Sequence, residues 1–179
     1  YQELIPELTA LGHVFKTRSD TEVIVHAWEA WGEACVQRFR GMFAFGLWDR
    51  NRQTLFLARD RLGVKPLYYA LLDNGWLLFG SELKSLMVHP QLNRDLDPYA
   101  MEEYFALGYV PEPRTIFLGA QKLPPATALT IQRGRPMPAP VPYWDVHFTL
   151  DRKIAREEAQ EELVRRLRES VRLRMISEV

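Results

Sequence analysis

Cysteine and long hydrophobic runs are scarce in this sequence. Its 179 residues include one cysteine, Cys35, which excludes an internal disulfide framework and is typical of proteins from a reducing compartment. No apolar run approaches the roughly 20 residues that a membrane-spanning helix needs. Residues 1–10 have neither the basic start nor the small-residue cleavage site of a signal peptide. We therefore expect a cytoplasmic protein with no membrane partner.

An excess of one charge is also lacking. Lysine plus arginine and aspartate plus glutamate each number 23, so bulk charge attracts neither nucleic acid nor an acidic membrane. The aromatic stretches carry no interleaved basic residues, and no glycine-rich phosphate loop of the Walker type occurs. We expect no nucleic-acid partner. What is present, 47% hydrophobic and 26% charged residues, is typical of a soluble globular domain with a sizeable core.

The first half of the sequence changes from a helical period to a strand period. Ser19-Asp-Thr-Glu22 is a capping-box pattern, and the apolar residues behind it recur at helical spacing, so residues 20–31 are predicted as a helix. Residues 42–48 are apolar throughout and are predicted as a strand buried on both faces. Predicted strands at 67–72 and 76–79 flank an Asp-Asn-Gly turn, which is a hairpin signal. These strands indicate an antiparallel α+β fold and not a βαβ repeat.

The second half is predicted to contain two further helices and proline-rich connections. A serine-capped helix is predicted over 81–88. An aspartate N-cap, an N1 proline and a C-terminal glycine bound a predicted helix over 98–107. The proline-rich residues 110–125 are predicted as an ordered loop, and residues 136–142 as an extended linker.

A change of composition near residues 140–150 marks a predicted domain boundary. The charged segment that follows carries an apolar stripe at helical spacing, formed by Ile154, Leu163, Val164, Leu167, Val171, Met175 and Ile176. Such a stripe requires a partner surface. We therefore assign residues 1–145 to one domain, and residues 146–179 to a linker and the first helix of a following domain.

Asp20 is the polar residue that stands out, and two interpretations of it are open. A carboxylate in the first turn of a helix is favourable by itself, by about 0.3–1 kcal/mol. The same carboxylate at the edge of a pocket could accept hydrogen bonds from an ammonium group. Arg59 and Asp60 lie between apolar strands, where charges are costly unless paired. A structural ion-pair turn with a conformationally special Gly63 is expected there.

Cys35 and the histidines give no sign of a catalytic or metal site. Cys35 lies on the apolar side of a helical segment without a basic or histidine partner at a suitable spacing. We expect it to be a packing residue whose pKa is ordinary or raised. The four histidines show no paired ligand spacing, so no metal site is expected; they are His13, His26, His89 and His147.

Two stretches carry a family resemblance. Residues 39–49 read Phe-Arg-Gly-Met-Phe-Ala-Phe-Gly-Leu-Trp-Asp, and residues 58–69 contain Arg-Asp-x-x-Gly-x-Lys-Pro-Leu. Together with Ser19-Asp-Thr-Glu22 and Ser81-Glu82, they resemble the class II glutamine amidotransferase domain of glutamine-dependent asparagine synthetases. The resemblance implies an N-terminal-nucleophile hydrolase-like fold, an αββα sandwich of antiparallel sheets. In this chain we expect that sandwich to be incomplete at its N-terminus.

The resemblance also implies roles for particular residues. Asp20 matches the residue that binds the α-amino group of substrate glutamine, and Ser19 is expected to be a substrate-binding residue beside it. Ser19 and Glu22 also hold the turn that presents Asp20. A second group is expected to shape the floor near the glutamine site, and consists of Arg59, Asp60, Gly63 and Lys65. Ser81 and Glu82 are expected to cap a helix at a strand end, where the backbone could line a pocket.

The family's nucleophile is an N-terminal cysteine, whereas this sequence begins with Tyr1. We therefore expect an inactive fragment of an ATP-dependent asparagine synthetase that hydrolyses glutamine and transfers ammonia to activated aspartate. ATP and magnesium would bind in the synthetase domain, which is an expected partner besides glutamine. The alternatives are a non-catalytic amidotransferase-like scaffold and a paralogue that amidates a different carboxylate. Family members are often homodimers, and the sequence leaves the oligomeric state open.

Overall fold

In the described part of the chain, three α-helices precede four strands, and two more helices separate these strands from three later ones, which a long helix follows. The computed structural model describes residues 1–148 and 154–175. Its helices are α1 (Leu4–Ala10), α2 (Asp20–Trp31), α3 (Cys35–Arg38), α4 (Leu83–Leu86), α5 (Pro98–Leu107) and α6 (Arg156–Arg174), with a 3₁₀ turn at Gly32–Ala34. Its strands are β1 (Ala44–Asp49), β2 (Thr54–Arg59), β3 (Tyr68–Leu71), β4 (Leu77–Gly80), β5 (Gln121–Lys122), β6 (Thr127–Gln132) and β7 (Val141–Pro142).

The strands form two antiparallel sheets. Among the described residues, the first sheet has the order β1-β2-β6-β7 and the second has the order β4-β3-β5. In the first sheet, Phe45 lies opposite Ala58, and Leu57 lies opposite Leu129. Every pairing between these strands is antiparallel, and no helix joins two parallel strands among the described residues. The predicted α+β class is confirmed.

The alternation of side chains along the strands explains how the layers pack. Phe56 of β2 joins a buried cluster with α1, α2 and α3, whereas the next residue, Leu57, joins a cluster with Tyr69 of the second sheet. Ala70, the neighbour of Tyr69, packs with Leu86 of α4 on the other side of the second sheet. The order of layers is therefore helix, sheet, sheet, helix, as the predicted αββα sandwich requires. Burial of each large side chain stabilises this arrangement by about 1.5–3 kcal/mol.

Strand β1 is more exposed than its apolar sequence predicts. Among the described residues it pairs with β2 alone, so it is an edge strand of the first sheet. Its burial alternates along the chain, and the Trp48 side chain is 50% exposed. The prediction of a strand buried on both faces was wrong: Phe45 and Leu47 pack against the cluster of α1, α2 and α3, whereas Gly46 and Trp48 on the other face are exposed.

Three local predictions also differ from the structure. Residues 110–125 include the short strand β5, and residues 136–142 include β7, which pairs Val141 with Ala128. Helix α4 begins after Glu82 and has no side-chain cap, so the prediction of a serine cap was wrong. By contrast, α2 and α5 cover the predicted ranges, and Gly108 adopts the left-handed conformation at the end of α5.

The chain divides into two compact units, residues 1–145 and a second unit that begins at Val146. In the second unit, Glu162 pairs with Arg165 and Arg166 along α6. The predicted apolar stripe on this helix is exposed at Leu163, Val164, Leu167, Val171 and Met175, and Ile176 lies outside the described residues. No described helix has both the length and the apolar character that crossing a membrane requires.

Candidate functional site

The turn before α2 is held by two side chains that act in different ways. Ser19 is the N-cap, and its Oγ accepts a hydrogen bond from Thr21 N at 3.1 Å. Glu22 does not bond back to the cap residue, as a capping box would require. Its carboxylate instead accepts hydrogen bonds from Lys16 N and Thr17 N, each at 2.7 Å, and from the Thr17 hydroxyl. Glu22 thus fixes the loop that enters the helix.

These hydrogen bonds perturb the ionisation of Glu22. The Lys16 N–H, and then the Thr17 hydroxyl and N–H, favour the charged carboxylate and lower the pKa of Glu22 from 4.5 to about 2. Protonated His26 would act in the same direction. Glu22 is therefore charged at neutral pH, and its loop contacts are intact under physiological conditions.

Asp20 is the first residue of α2, and its side chain is exposed. The hydroxyls of Ser19 and Thr21 each lie 3.4 Å from Asp20 Oδ1, which is long for hydrogen bonds of this type. The carboxylate therefore keeps most of its capacity to accept hydrogen bonds from a ligand. The position at a helix N-terminus favours its negative charge.

Asp60 is buried, and its carboxylate is enclosed by backbone N–H groups. Only 1% of the surface of Asp60 is exposed. Oδ1 accepts hydrogen bonds from Leu62 N at 3.2 Å and Val64 N at 3.0 Å. Oδ2 accepts from Lys65 N at 2.9 Å and Phe43 N at 3.3 Å. Asp60 therefore closes the turn after β2 and joins it to the segment before β1.

Arg59 is buried as well, and its guanidinium is directed to backbone carbonyls. Nε donates to Lys65 O at 2.8 Å, and the two Nη atoms donate to Leu123 O and Gly63 O, each at 2.7 Å. Nη1 also lies 3.2 Å from Glu112 Oε1. Arg59 is thus paired with Glu112 and not with Asp60. In the expected ion-pair turn, Arg59 and Asp60 therefore have separate hydrogen-bond partners.

Gly63 and Lys65 contribute to this turn through their backbones. Gly63 has φ +64°, and a Cβ atom there would lie 2.7 Å from Pro125 Cγ and 3.0 Å from Arg59 Cζ. The site accepts only glycine without rearrangement, for reasons of conformation and of space. The Lys65 side chain is exposed, while its N–H and carbonyl bind Asp60 and Arg59. The family motif at residues 59–65 therefore builds a rigid turn.

The Asp60 turn is tied to the chain before β1 by a further arginine. Arg61 donates to Gln37 O at 2.9 Å and to Phe39 O. Tyr143 donates its hydroxyl to Arg59 O at 2.6 Å, and burial raises the pKa of Tyr143 to about 12. The two stretches that carry the family resemblance are thus one hydrogen-bonded unit.

Ser81 and Glu82 lie apart from that unit, on the surface. Both residues are exposed, and Glu82 pairs with Lys84 at 2.7 Å. Among residues 1–148, no hydrogen bond or ion pair joins the Asp20 turn to the Asp60 turn or to Ser81 and Glu82. The predicted residues are therefore three separate groups in this structure.

An open, largely apolar cavity of about 480 Å³ lies against the second sheet. Lys122 is at its edge and donates to Val110 O, and burial lowers the pKa of this lysine. The walls are formed mainly by Tyr68, Leu83, Tyr104, Tyr109 and Ile116. No predicted site residue contributes to this wall. Its residues are far apart along the chain, so no local sequence pattern indicated the cavity.

Cys35 is fully buried in the cluster between the helices and the first sheet. Burial raises the pKa of its thiol to about 12, so the reactive thiolate is scarce at neutral pH. The expectation of a packing cysteine, with a pKa that is ordinary or raised, is confirmed.

A cluster of His13, His26 and Glu29 was missed by reasoning from the sequence. Their nearest nitrogen and oxygen atoms lie 3.1–3.4 Å apart. The spacing of His26 and Glu29, three residues apart on a helix, was visible in the sequence. The position of His13 depends on how the loop after α1 folds, so the spacing along the chain could not reveal the cluster.

Comparison with known proteins identifies a family for most of this chain. The family described as "Glutamine amidotransferase domain" matches residues 1–144. Asparagine synthetase [glutamine-hydrolyzing] 3 of Bacillus subtilis is 44% identical over 133 residues, which cover 74% of this chain and 22% of that protein. Amidase chyE of Penicillium rubens is 34% identical over 170 residues, which cover 92% of this chain and 24% of that protein.

Among solved structures, the glutamine phosphoribosylpyrophosphate amidotransferase of B. subtilis, complexed with ADP and GMP, aligns with a TM-score of 0.48 and 19% identity. The alignment covers 74% of this chain and 24% of that one. The chain spans about a quarter or less of the length of these relatives. Since the family match covers most of the chain, this protein belongs to the glutamine amidotransferase domain family.

Proposed function

We propose that this chain is part of a glutamine-hydrolysing asparagine synthetase, and that its Asp20 binds the substrate glutamine. The observation that carries the proposal is the Asp20 carboxylate, exposed at the start of α2 on a turn that Glu22 fixes. Membership of the family supports glutamine as the substrate. The similarity to an asparagine synthetase supports aspartate as the acceptor of the ammonia.

In this proposal, the Asp20 carboxylate accepts hydrogen bonds from the α-ammonium group of glutamine. A hydrogen bond of this charge-assisted type contributes about 1.5–3 kcal/mol. Ser19 and Glu22 position Asp20, while Arg59, Asp60, Gly63 and Lys65 shape the turn beneath the site. Aspartate activation by ATP and magnesium is assigned to a separate synthetase domain, because residues 1–179 contain no glycine-rich phosphate loop. We also propose a cytoplasmic location, from the single cysteine.

The glutaminase step requires a nucleophile, and we propose that it is not Cys35. A thiolate attacks the side-chain amide carbon of glutamine, the protonated amide nitrogen leaves as ammonia, and water then releases glutamate from the thioester. The buried Cys35, whose pKa is about 12, does not supply that thiolate at neutral pH. The resemblance to enzymes with a terminal cysteine supports a nucleophile outside residues 1–179.

The substitution Asp20→Asn tests the proposed glutamine contact. In the longer protein that contains this chain, we expect kcat/KM for glutamine to fall about 10- to 100-fold, the equivalent of one charged hydrogen bond. Activity with free ammonia should be unchanged, because ammonia does not need the α-amino contact. Asp73→Asn, at an exposed aspartate of the β3–β4 turn, is the control and should leave both activities unchanged. Equal losses with glutamine and ammonia in Asp20→Asn would show a structural role instead.

A second candidate function is amide formation on a carboxylate other than aspartate. The similarity to amidase chyE, a relative that is not named an asparagine synthetase, extends over 92% of this chain and supports this alternative. Ammonia-dependent ATP consumption by the longer protein, measured with aspartate and with other carboxylates, separates the two functions.

A further inference from the structure

We propose that His13, His26 and Glu29 form a binding site for a divalent transition metal ion of the Zn(II) class. His26 and Glu29 lie three residues apart on α2, and His13 lies in the loop after α1. The site is separate from the proposed glutamine contact at Asp20 and does not depend on it.

The distances between the three ligand atoms match one tetrahedral ion. His13 Nδ1 lies 3.2 Å from His26 Nδ1 and 3.4 Å from Glu29 Oε2, and His26 Nδ1 lies 3.1 Å from the same oxygen. Bonds of about 2.0–2.1 Å to a tetrahedral zinc ion place any two ligand atoms about 3.3–3.4 Å apart. The three atoms are therefore close to the corners of one face of that tetrahedron.

Protons alone do not satisfy these three contacts. If only one Nδ1 carries a hydrogen, the other Nδ1 faces the Glu29 oxygen, and these two acceptors have no donor between them. If both Nδ1 atoms carry hydrogens, both can donate to Glu29 Oε2, but two N–H groups then face each other across 3.2 Å. A cation on the common side accepts all three lone pairs at once. Neutral imidazole nitrogens and a carboxylate are ligands that Zn(II) prefers.

The surroundings of the cluster suit a bound metal. The side chains of His13 and His26 are 18% and 16% exposed, whereas Glu29 is 55% exposed, so water can reach the remaining position. On the other side of the His26 ring, Nε2 lies 3.6 Å from Glu22 Oε1. A carboxylate next to the second ring nitrogen is the usual support of a metal-binding histidine.

A metal ion at this position would stabilise the loop between α1 and α2. The ion would connect the loop after α1 to α2 through His13 and His26. Glu22, the carboxylate beside His26, also holds Lys16 N and Thr17 N in the same loop. Metal binding would therefore stabilise the loop that leads to the turn carrying Asp20.

Titration of the purified chain with cobalt(II) chloride tests the site, because tetrahedral cobalt(II) absorbs strongly in the visible range. We expect one equivalent to bind, zinc chloride to displace it, and zinc to raise the Tm. Glu29→Gln and His26→Gln should each weaken cobalt(II) binding by about 10-fold or more. The matched controls are Glu33→Gln and His147→Gln, which change an exposed glutamate and an exposed histidine outside the cluster.

The proposal is overturned if the wild-type chain binds no cobalt(II) at one equivalent. It is also overturned if Glu29→Gln binds as tightly as wild type, or if the two controls lose as much affinity as the cluster variants. Glu29 is more than half exposed, so its substitution leaves the core intact. Glu29→Gln therefore tests the metal site even if a histidine variant fails to fold. Far-UV circular dichroism of each variant checks the fold.

Discussion

At the scale of single residues, the buried charges of the family motif are satisfied by backbone groups. Asp60 accepts hydrogen bonds from four backbone N–H groups, and Arg59 donates to three backbone carbonyls. Asp60 is therefore stable in the interior without a substrate or a neighbouring ion, and Arg59 has Glu112 beside it as well. This explains why a motif specific enough to identify the family contains residues with a structural role.

The substitution Asp60→Asn tests that structural role. An asparagine offers one carbonyl oxygen, so its amide NH₂ would face two backbone N–H groups that now donate to the carboxylate. We expect the free energy of unfolding to fall by about 2–4 kcal/mol, from unsatisfied buried donors. Urea denaturation followed by tryptophan fluorescence measures the loss. Asp73→Asn, the exposed control, should change it by less than about 0.5 kcal/mol. A loss in Asp60→Asn no larger than in the control would contradict the structural role.

At the scale of elements, the loop and N-terminus of α2 form a unit that depends on an ionised Glu22. The folded chain holds the pKa of Glu22 at about 2, below its ordinary 4.5, because Lys16 N–H and the Thr17 hydroxyl donate to the charged carboxylate. The unfolded chain therefore binds this proton at a higher pH than the folded chain does. The contribution of Glu22 to stability is complete above pH 4.5 and is lost as the pH falls from 4.5 towards 2.

Comparison of Glu22→Gln with wild type isolates this contribution. We expect the difference in stability between the two proteins to be constant from pH 7 to about pH 5 and to shrink as the pH falls further. Urea denaturation at a series of pH values, read from Trp28 and Trp31 on α2, provides the measurement. A difference that stays the same down to pH 2.5 would mean that Glu22 is not ionised in the contacts described here.

The elements also show which parts of the fold a sequence can predict. Helices α2 and α5 have their predicted ranges because caps, proline and glycine act within a few residues of the helix ends. Strands β5 and β7 escaped prediction because each has two residues and depends on a partner distant in sequence, as in the pairing of Tyr68 with Lys122. The exposure of one face of β1 depends on which layers pack against the strand, and its own apolar sequence does not encode that.

The same distinction applies to the candidate sites. Asp20 could be singled out because a capping pattern and a family motif coincide there. The enclosure of Asp60 and the pairing of Arg59 with Glu112 depend on contacts between segments far apart along the chain. The cluster of His13, His26 and Glu29 depends on the fold of one loop. A site residue can be predicted from sequence when its motif lies within a few residues. A site formed by side chains from distant segments becomes visible only in the folded chain.

At the scale of the whole molecule, residues 1–145 form a layered scaffold in which the one cysteine of the chain is a packing residue. Cys35 belongs to a buried cluster with residues of α1, α2 and β2 and has no exposed surface. We therefore propose that the scaffold binds and positions glutamine, and that a thiol outside residues 1–179 attacks it.

Release of ammonia from glutamine tests this division of roles most directly. We predict no cysteine-dependent release by the purified chain of residues 1–179. We also predict that the longer protein keeps its glutaminase activity when it carries Cys35→Ser, with circular dichroism to check that this buried change leaves the fold intact. Ammonia release by residues 1–179 that disappears with Cys35→Ser would contradict the proposal, since it would make Cys35 the nucleophile.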